Sequence, residues 1–288
     1  MFGVAYRYLI IFAAAGFFLH PLRAEETPQY SILSTNILKS CSGYFATEFA
    51  SAYLISGGAI YDTHPVASHE LGWFFDFDDY GWIDGYLWGV SSLDNKQGDS
   101  HRMFLNELEM TACYGRTWQV AEEISFSSKL GPLWNPPIGY YDLHNDYWGP
   151  HFVFQLDNPI ATAYVSGLWL VSPDADERCR IRFGLTRTFA LTTSLSITPM
   201  IETVWMDRRY YFSRFGEYPE NCDFDGAFST VTSSARLTWK VSENFNVYFR
   251  LSMFDVVNPQ ARAALKQQSA YYAVRDWPVF RVGAEYIF

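Results

Sequence analysis

The chain has 288 residues and a formal net charge of −10, with 49% apolar, 19% aromatic and 18% charged residues. Soluble domains usually carry about 25% charged residues, so this composition indicates apolar surroundings beyond one ordinary core. The acidic balance and the lack of a Lys/Arg cluster exclude a nucleic-acid partner, because phosphate binding needs a basic surface.

The N-terminus has the layout of a secretory signal. Arg7 precedes an apolar stretch over residues 9–19, and the small residue Ala24 comes just before Glu25 and Glu26. A helix needs about 20 apolar residues to cross a bilayer, so this stretch is too short for an anchor. We therefore expect a signal peptide over 1–24, cleaved near Ala24, and an exported mature protein. A second apolar run long enough for a transmembrane helix does not occur.

From residue 44 onward, apolar and polar residues alternate in segments of about ten residues, which is typical of strands with one face in lipid. The pattern predicts twelve strands, at residues 44–55, 68–77, 80–91, 103–114, 118–127, 151–157, 161–171, 179–188, 194–206, 229–240, 245–254 and 279–288.

The links between these segments alternate in length. Short links are expected at 78–79, 115–117, 158–160, 189–193 and 241–244, and long ones at 93–101, 128–150, 207–228 and 255–278. The prolines of 128–150 disfavour a regular strand there. Short periplasmic turns and long extracellular loops are typical of an all-β, transmembrane, antiparallel up-and-down barrel. We expect it over 44–288, after an N-terminal periplasmic segment at 25–43. A soluble β-sandwich has no reason to sort its loops in this way.

The last strand alternates with the terminal aromatic on its apolar face. That face would carry Phe280, Val282, Ala284, Tyr286 and Phe288, and the other Arg281, Gly283 and Glu285.

In this strand the chain resembles bacterial outer-membrane proteins, whose final strand ends in Phe as an assembly signal. Here Phe280, Val282, Tyr286 and Phe288 would form that signal. The resemblance implies an outer-membrane location, contact with outer-membrane lipids and lipopolysaccharide, folding by the barrel-assembly machinery, and a monomer. Length and loop rhythm are also similar to small twelve-stranded channels for nucleosides or acidic oligosaccharides.

Aromatic residues recur near the predicted strand ends, where rings sit at headgroup depth in interface girdles. The candidates are Trp73, Trp82, Trp118, Trp148, Trp169, Trp205, Trp239 and Tyr286.

If apolar residues face lipid, the opposite parity faces the lumen. Late strands then supply a basic wall of Arg180, Arg182, Arg236, Arg250 and Arg281, and early strands an acidic wall of Glu48, Glu70, Asp84, Glu107 and Glu109. This predicts a channel for passive diffusion of small polar or charged solutes, without cofactor or metal. Alternatively, the facing charges form a salt-bridge network that fills a non-conducting structural or adhesion barrel.

An enzyme is a third alternative, namely a lipid-modifying hydrolase. Its candidate residues are His144 or His151 with Asp142, Asn145 and Asp146. The sequence contains neither GxSxG nor HExxH, so the signal for catalysis is weak.

Four cysteines meet an oxidising compartment after export. The predicted topology places Cys41 and Cys113 at the periplasmic side and Cys179 and Cys222 at the external side. The pairings Cys41 with Cys113 and Cys179 with Cys222 follow, with four free thiols as the alternative. The chain has no CxxC spacing for a metal.

Overall fold

The computed structural model describes residues 38–54, 60–62, 65–93, 107–136, 147–172, 175–207, 226–259 and 277–288. Its first eight strands are β1 (Ser40–Ala50), β2 (Tyr53–Leu54), β3 (Ile60–Asp62), β4 (Val66–Asp76), β5 (Trp82–Ser92), β6 (Glu107–Ala121), β7 (Ile124–Asn135) and β8 (Tyr147–Asp157). The others are β9 (Thr162–Ser172), β10 (Ala175–Thr186), β11 (Phe189–Ala190), β12 (Leu195–Asp207), β13 (Gly226–Lys240), β14 (Phe245–Val256) and β15 (Trp277–Ile287).

The twelve long strands form one closed antiparallel barrel. Sequential neighbours pair from β4 to β10 and from β12 to β15, while β1 pairs with both β4 and β15, and β10 pairs with β12. The short strand β11 pairs with β12, and β2 and β3 form a separate hairpin. Closure leaves none of the twelve barrel strands with an unpaired edge, as hydrocarbon surroundings require. Among the described residues, no helix is long and apolar enough to span a membrane.

The first and last strands complete the ring. Their register runs from Tyr44 opposite Ile287 to Ala50 opposite Arg281. The ladder continues to the last residue, because the Phe288 N–H donates to the Gly43 carbonyl at 2.9 Å and the Gly43 N–H donates to the Phe288 carbonyl at 2.8 Å.

Eleven of the twelve predicted segments each overlap one barrel strand, whereas the segment 118–127 spans the end of β6, a turn and the start of β7. The predicted fold class is confirmed. The first strand begins at Ser40, ahead of residue 44, and therefore includes part of the expected periplasmic segment. The start of β1, the end of β15 and the links β4–β5, β6–β7, β8–β9, β10–β12 and β13–β14 lie at one end of the barrel, which we call the terminal end. We call the other end the loop end. Its links are the longer ones, except that residues 173–174 alone join β9 to β10.

The predicted turn at 115–117 is wrong, because β6 continues to Ala121 and the turn lies at Glu122 and Glu123. Gly115 is a strand residue opposite Trp82. A Cβ at Gly115 would lie 2.3 Å from a carbon of the Trp82 ring, so the glycine makes room for an aromatic side chain rather than for a turn.

The predicted long link at 128–150 is also wrong at both ends, because β7 extends to Asn135 and β8 begins at Tyr147. Two of the four prolines of this region, Pro132 and Pro150, face each other across β7 and β8. Proline has no N–H to donate, and the pairing of β7 with β6 is interrupted at Pro132, as is the pairing of β8 with β9 at Pro150. The strands therefore tolerate both prolines where the neighbouring ladder has a gap.

Side chains alternate between the two faces of the barrel wall. In β1, Phe45 and Phe49 are 45% and 49% exposed, whereas Glu48 between them lines an internal cavity. In β15 the expected outer face is present, because four side chains of that parity are exposed, namely Phe280, Val282, Tyr286 and Phe288. The outer surface is therefore largely apolar, as contact with lipid requires.

The aromatic girdle is present in part. Trp118, Trp148, Trp169 and Trp239 are exposed on the outer face near strand ends. Trp82 was expected among them, but it has the inward parity of β5 and lies 5.9 Å from the Lys129 ammonium. It is a lumen residue.

The predicted bond between Cys41 and Cys113 is absent, since Cys41, Cys113 and Cys179 are all free thiols. Cys41 is exposed on the outer face, whereas Cys113 is buried on the inner face. Alternation along strands thus places the two sulfurs on opposite sides of the wall, which rules out the geometry a disulfide needs. Cys222 lies outside the described residues.

The free thiols can be counted chemically. In a Cys222→Ser variant prepared without reductant and then denatured, we expect thiol titration to find the three cysteines that are free in the structure. A reduced sample provides the reference value. A count of one thiol without reductant would restore the bond between Cys41 and Cys113.

Inward tyrosines pack across glycines of the neighbouring strand. A Cβ at Gly184 would lie 2.2 Å from the Tyr164 ring, and a Cβ at Gly283 would lie 2.4 Å from the Tyr248 ring. In each pair the residues are direct cross-strand partners, Tyr164 with Gly184 and Tyr248 with Gly283. The glycine lets the ring lie flat against the wall, so that the hydroxyl reaches the next strand.

Replacing such a glycine will displace the ring. We expect Gly184→Ala to lower the free energy of unfolding by about 1–3 kcal/mol, the usual cost of overpacking. Denaturant unfolding followed by tryptophan fluorescence measures this. In a Tyr164→Leu background the same substitution should cost markedly less. An equal cost in both backgrounds would show that Tyr164 is not the group displaced.

Candidate functional site

The barrel encloses a cavity of approximately 700 Å³, lined by side chains from all twelve barrel strands. Small-molecule sites are commonly about 300–1,000 Å³, so the space suits one small solute or a short oligomer. Period-two alternation explains why every strand contributes, because each strand directs every second side chain inward.

Most of the predicted wall residues line this cavity. These are Arg180, Arg182, Arg250, Arg281, Glu48, Glu70, Glu107 and Glu109. The two others, Arg236 and Asp84, are not among the lining residues. Arg236 is 3.5 Å from Glu285, and Asp84 is 2.6 Å from Lys129, so each is held in an ion pair elsewhere on the inner face.

Several lining residues were missing from the sequence-based set. Lys129 was missed because it fell in the predicted long link, although it continues the parity of β7. Glu202 was not in the predicted acidic wall, because it lies on a late strand among the arginines, yet it lines the cavity. Tyr86 and Tyr164 also line it, and the signal that could have found them is their inward parity on β5 and β9.

Each of three inward carboxylates receives a tyrosine hydroxyl. Tyr44 donates to Glu70, Tyr86 donates to Glu109, and Tyr164 donates to Glu202 at 2.7 Å. Glu107 accepts instead from the Asn135 amide at 3.2 Å. These bonds fix the orientation of carboxylates that are partly removed from water.

One of these contacts uses three strands in register, and a further tyrosine, Tyr248, has the same arrangement. Tyr164 lies opposite Gly184, which lies opposite Glu202. Similarly, Tyr248 lies opposite Gly283, and Gly283 lies opposite Glu48. The tyrosine ring passes over the glycine to the carboxylate of the third strand. A tyrosine on one strand therefore orients a glutamate that lies two strands away in the barrel.

Ion pairs join neighbouring sectors of the inner wall. Arg281 lies 3.1 Å from Glu48, with both side chains mostly buried at 21% and 13% exposure, and this pair spans the seam between β15 and β1. The Tyr248 ring carries two guanidinium groups, those of Arg236 at 3.9 Å and of Arg250 at 5.9 Å. Cation–π contact of this kind stabilises a partly desolvated cation.

The signs of charge are arranged by strand around the cavity. The lining carboxylates come from β1, β4, β6 and β12, and the lining cations from β7, β10, β14 and β15. The members are Glu48, Glu70, Glu107, Glu109 and Glu202 against Lys129, Arg180, Arg182, Arg250 and Arg281. The lining thus combines five acids with five bases, and its formal charges cancel although each sign is concentrated on different strands.

His151, a candidate for hydrolysis, lines the cavity with its Nδ1 3.9 Å from the Cys113 sulfur. Asp142, His144, Asn145 and Asp146 lie outside the described residues. Within the described ranges, no group of three or more His, Cys, Asp or Glu side chains could hold a metal ion.

No protein-family model matches the chain, and no curated protein matches it. Its structure is similar to that of an outer-membrane channel from Pseudomonas putida F1, with a TM-score of 0.49, 10% sequence identity, and coverage of 92% of this chain and 100% of the other. It is also similar to the NanC porin and the KdgM porin, with TM-scores of 0.48 and 0.46. Each of these two is 9% identical and covers 86% of this chain and 99% of its own. These similarities concern the fold alone.

The ion pair of Arg281 with Glu48, which we call the seam pair, is expected to contribute to stability. Because Arg281 and Glu48 are mostly buried, a double-mutant cycle with Arg281→Gln and Glu48→Gln should give a coupling free energy of about 1–3 kcal/mol in unfolding.

The matched control is the pair of Lys39 and Asp78, at 2.9 Å with side chains 61% and 60% exposed. Solvent and salt screen such a pair, so its cycle should show no measurable coupling. Equal values from the two cycles would contradict the role assigned to the seam pair.

Proposed function

We propose that this protein is an outer-membrane channel through which small polar or charged solutes pass by passive diffusion, without a cofactor. The observation that carries the proposal is a charged cavity of approximately 700 Å³ inside a closed barrel. A polar solute that crosses a bilayer through a barrel needs a polar interior of this kind.

The outer face supports the membrane assignment. Barrel strands are 11 to 15 residues long, while a tilted transmembrane strand needs about 9–11 residues. The outward side chains are largely apolar, and the proposed signal peptide over residues 1–24 would direct the chain to the envelope. Phe288, at the end of the last strand, is the proposed signal for the barrel-assembly machinery, and the protein is proposed to act as a monomer among outer-membrane lipids and lipopolysaccharide.

The distribution of charge supports selectivity in the proposed channel. Acids from β1, β4 and β6 and bases from β10, β14 and β15 create a field across the lumen. Glu202 is an exception on the basic side, and Lys129 of β7 is an exception beside the acidic side. Such a field orients dipolar solutes, and it disfavours uncharged apolar ones that would displace hydration water from the charges.

Two alternatives fit the site less well. In a plugged barrel, ion pairs would cross and fill the lumen. However, the pair Arg281 with Glu48 joins adjacent strands along the wall, and the cavity persists beside it. In a lipid hydrolase, the reactive groups would face the outer rim. His151 instead faces the lumen beside Cys113.

Ion selectivity in planar bilayers tests the proposal. With the cavity-lining arginines replaced by glutamine, as Arg180, Arg182, Arg250 and Arg281→Gln, the reversal potential in a salt gradient should shift toward cation selectivity. The matched acidic set is Glu48, Glu70, Glu107 and Glu109→Gln, and it should shift selectivity toward anions.

Folding of both sets is checked by electrophoretic mobility before and after heating. Absence of conductance in the parent protein would contradict the channel, and unchanged reversal potentials in both sets would contradict the assignment of the lumen charges.

A further inference from the structure

The cavity changes character along its length. On several strands the inward side chains are polar toward the terminal end and apolar toward the loop end. Glu48 is followed by Ala50 in β1, Tyr86 by Trp88 and Val90 in β5, and all of them line the cavity. Because inward residues repeat every second position, each apolar residue is the next inward neighbour of a polar one.

The same change occurs on strands elsewhere in the ring. In β9, the inward residue Ser166 is followed by Leu168 and Leu170. In β14, the inward residue Arg250 is followed by Ser252 and then by Phe254. Leu168 and Leu170 are almost fully buried, at 4% and 6% exposure. The half of the cavity nearer the loop end therefore has apolar walls on two sides.

On two strands, the inward residues are charged in the half of the cavity nearer the loop end as well. In β6 the inward residues Glu109 and Glu107 both line the cavity, and in β10 the inward residues Arg182 and Arg180 do so. Three strands, β7 to β9, separate β6 from β10 in the ring. The apolar half of the cavity is thus bordered by carboxylates on one side and by guanidinium groups on another.

We propose that the cavity binds zwitterions that carry an apolar side chain, namely free α-amino acids or dipeptides with aliphatic or aromatic side chains. This inference rests on the proposed channel function and names its substrate class. The ammonium group lies toward Glu107 and Glu109, the carboxylate toward Arg180 and Arg182, and the side chain against Leu168 and the wall around it.

The balance of signs favours this class over simple ions. The lining combines five acids with five bases, so a lone anion or cation gains from one set of charges and is repelled by the other. A zwitterion satisfies both sets at once, and an apolar side chain gains by leaving water for Leu168, Trp88 and Phe254, which line the cavity. Free glycine has both charges but no apolar side chain. An apolar carboxylate or an apolar amine has the side chain but only one of the two charges.

Block of ion current by added solute measures binding inside the channel. L-leucine and L-phenylalanine should reduce the current with half-block concentrations about tenfold or more below that of glycine, because burying a leucine-sized side chain corresponds to such a factor. 4-Methylpentanoate lacks the ammonium of leucine and 3-methylbutylamine lacks its carboxylate. Both should also block more weakly than leucine.

Single substitutions test which residues bind the ammonium group, the carboxylate and the side chain of the ligand. Leu168→Ala should raise the half-block concentration of leucine several-fold and leave that of glycine unchanged. Its control is Leu185→Ala, which removes the same group from the exposed outer face. Glu109→Gln should weaken block by leucine but not by 4-methylpentanoate, and Arg182→Gln should weaken block by leucine but not by 3-methylbutylamine.

The outcomes separate this inference from the channel itself. If the parent conducts but leucine, glycine and 4-methylpentanoate block equally, the inference is overturned and the channel stands. If the parent does not conduct, the channel fails, and calorimetric titration of the detergent-purified protein with L-leucine decides the inference. Saturable binding weakened by Leu168→Ala supports it, and no binding overturns it.

Discussion

Pairing of the first strand with the last is the constraint on which the rest of the structure depends. In a lipid environment each strand must bond on both sides, so β1 has to meet β15 in one register. Seven residue pairs fix it, from Tyr44 with Ile287 to Ala50 with Arg281. A slip by one residue would move Glu48 to the outer face. Closure thereby determines which side chains can form a site.

Once the register is fixed, contacts across three strands position the side chains of the inner wall. Glycines at positions 184 and 283 leave space for the rings of Tyr164 and Tyr248, and each tyrosine faces a glutamate one strand further on. Because each ring lies flat over a glycine, it fills the wall without closing the lumen. Carboxylates held against the wall in this way leave the centre of the barrel as a cavity.

Much of this fold could be predicted from the sequence, because period-two alternation is a local property. It located eleven of the twelve barrel strands and the parity of most cavity-lining charges, including those of Arg182 and Glu109. The prediction failed where a residue type has two physical uses. Gly115 reads as a turn residue, yet it accommodates the Trp82 ring, and Pro132 reads as a strand breaker, yet it occupies a gap in the ladder.

The cysteine prediction failed for a different reason. It compared Cys41 and Cys113 by the end of the barrel at which they were expected, and left out the face of the wall on which each side chain lies. The hydrogen bonds between tyrosines and glutamates could not be predicted from the sequence for a related reason. A bond such as Tyr164 to Glu202 depends on the register of three strands, which the alternation of a single strand does not contain.

In the proposed channel, the same contacts determine how a solute leaves. Glu48 is paired with Arg281, and Glu70 and Glu109 each accept a tyrosine hydroxyl. A solute that meets these groups exchanges one partner for another, so the net gain is smaller than the gain from an unpartnered charge. Conduction requires binding that is favourable enough for entry and weak enough for release. Charges that are partnered within the wall satisfy both requirements, and a wall of unpaired arginines would retain an anionic solute.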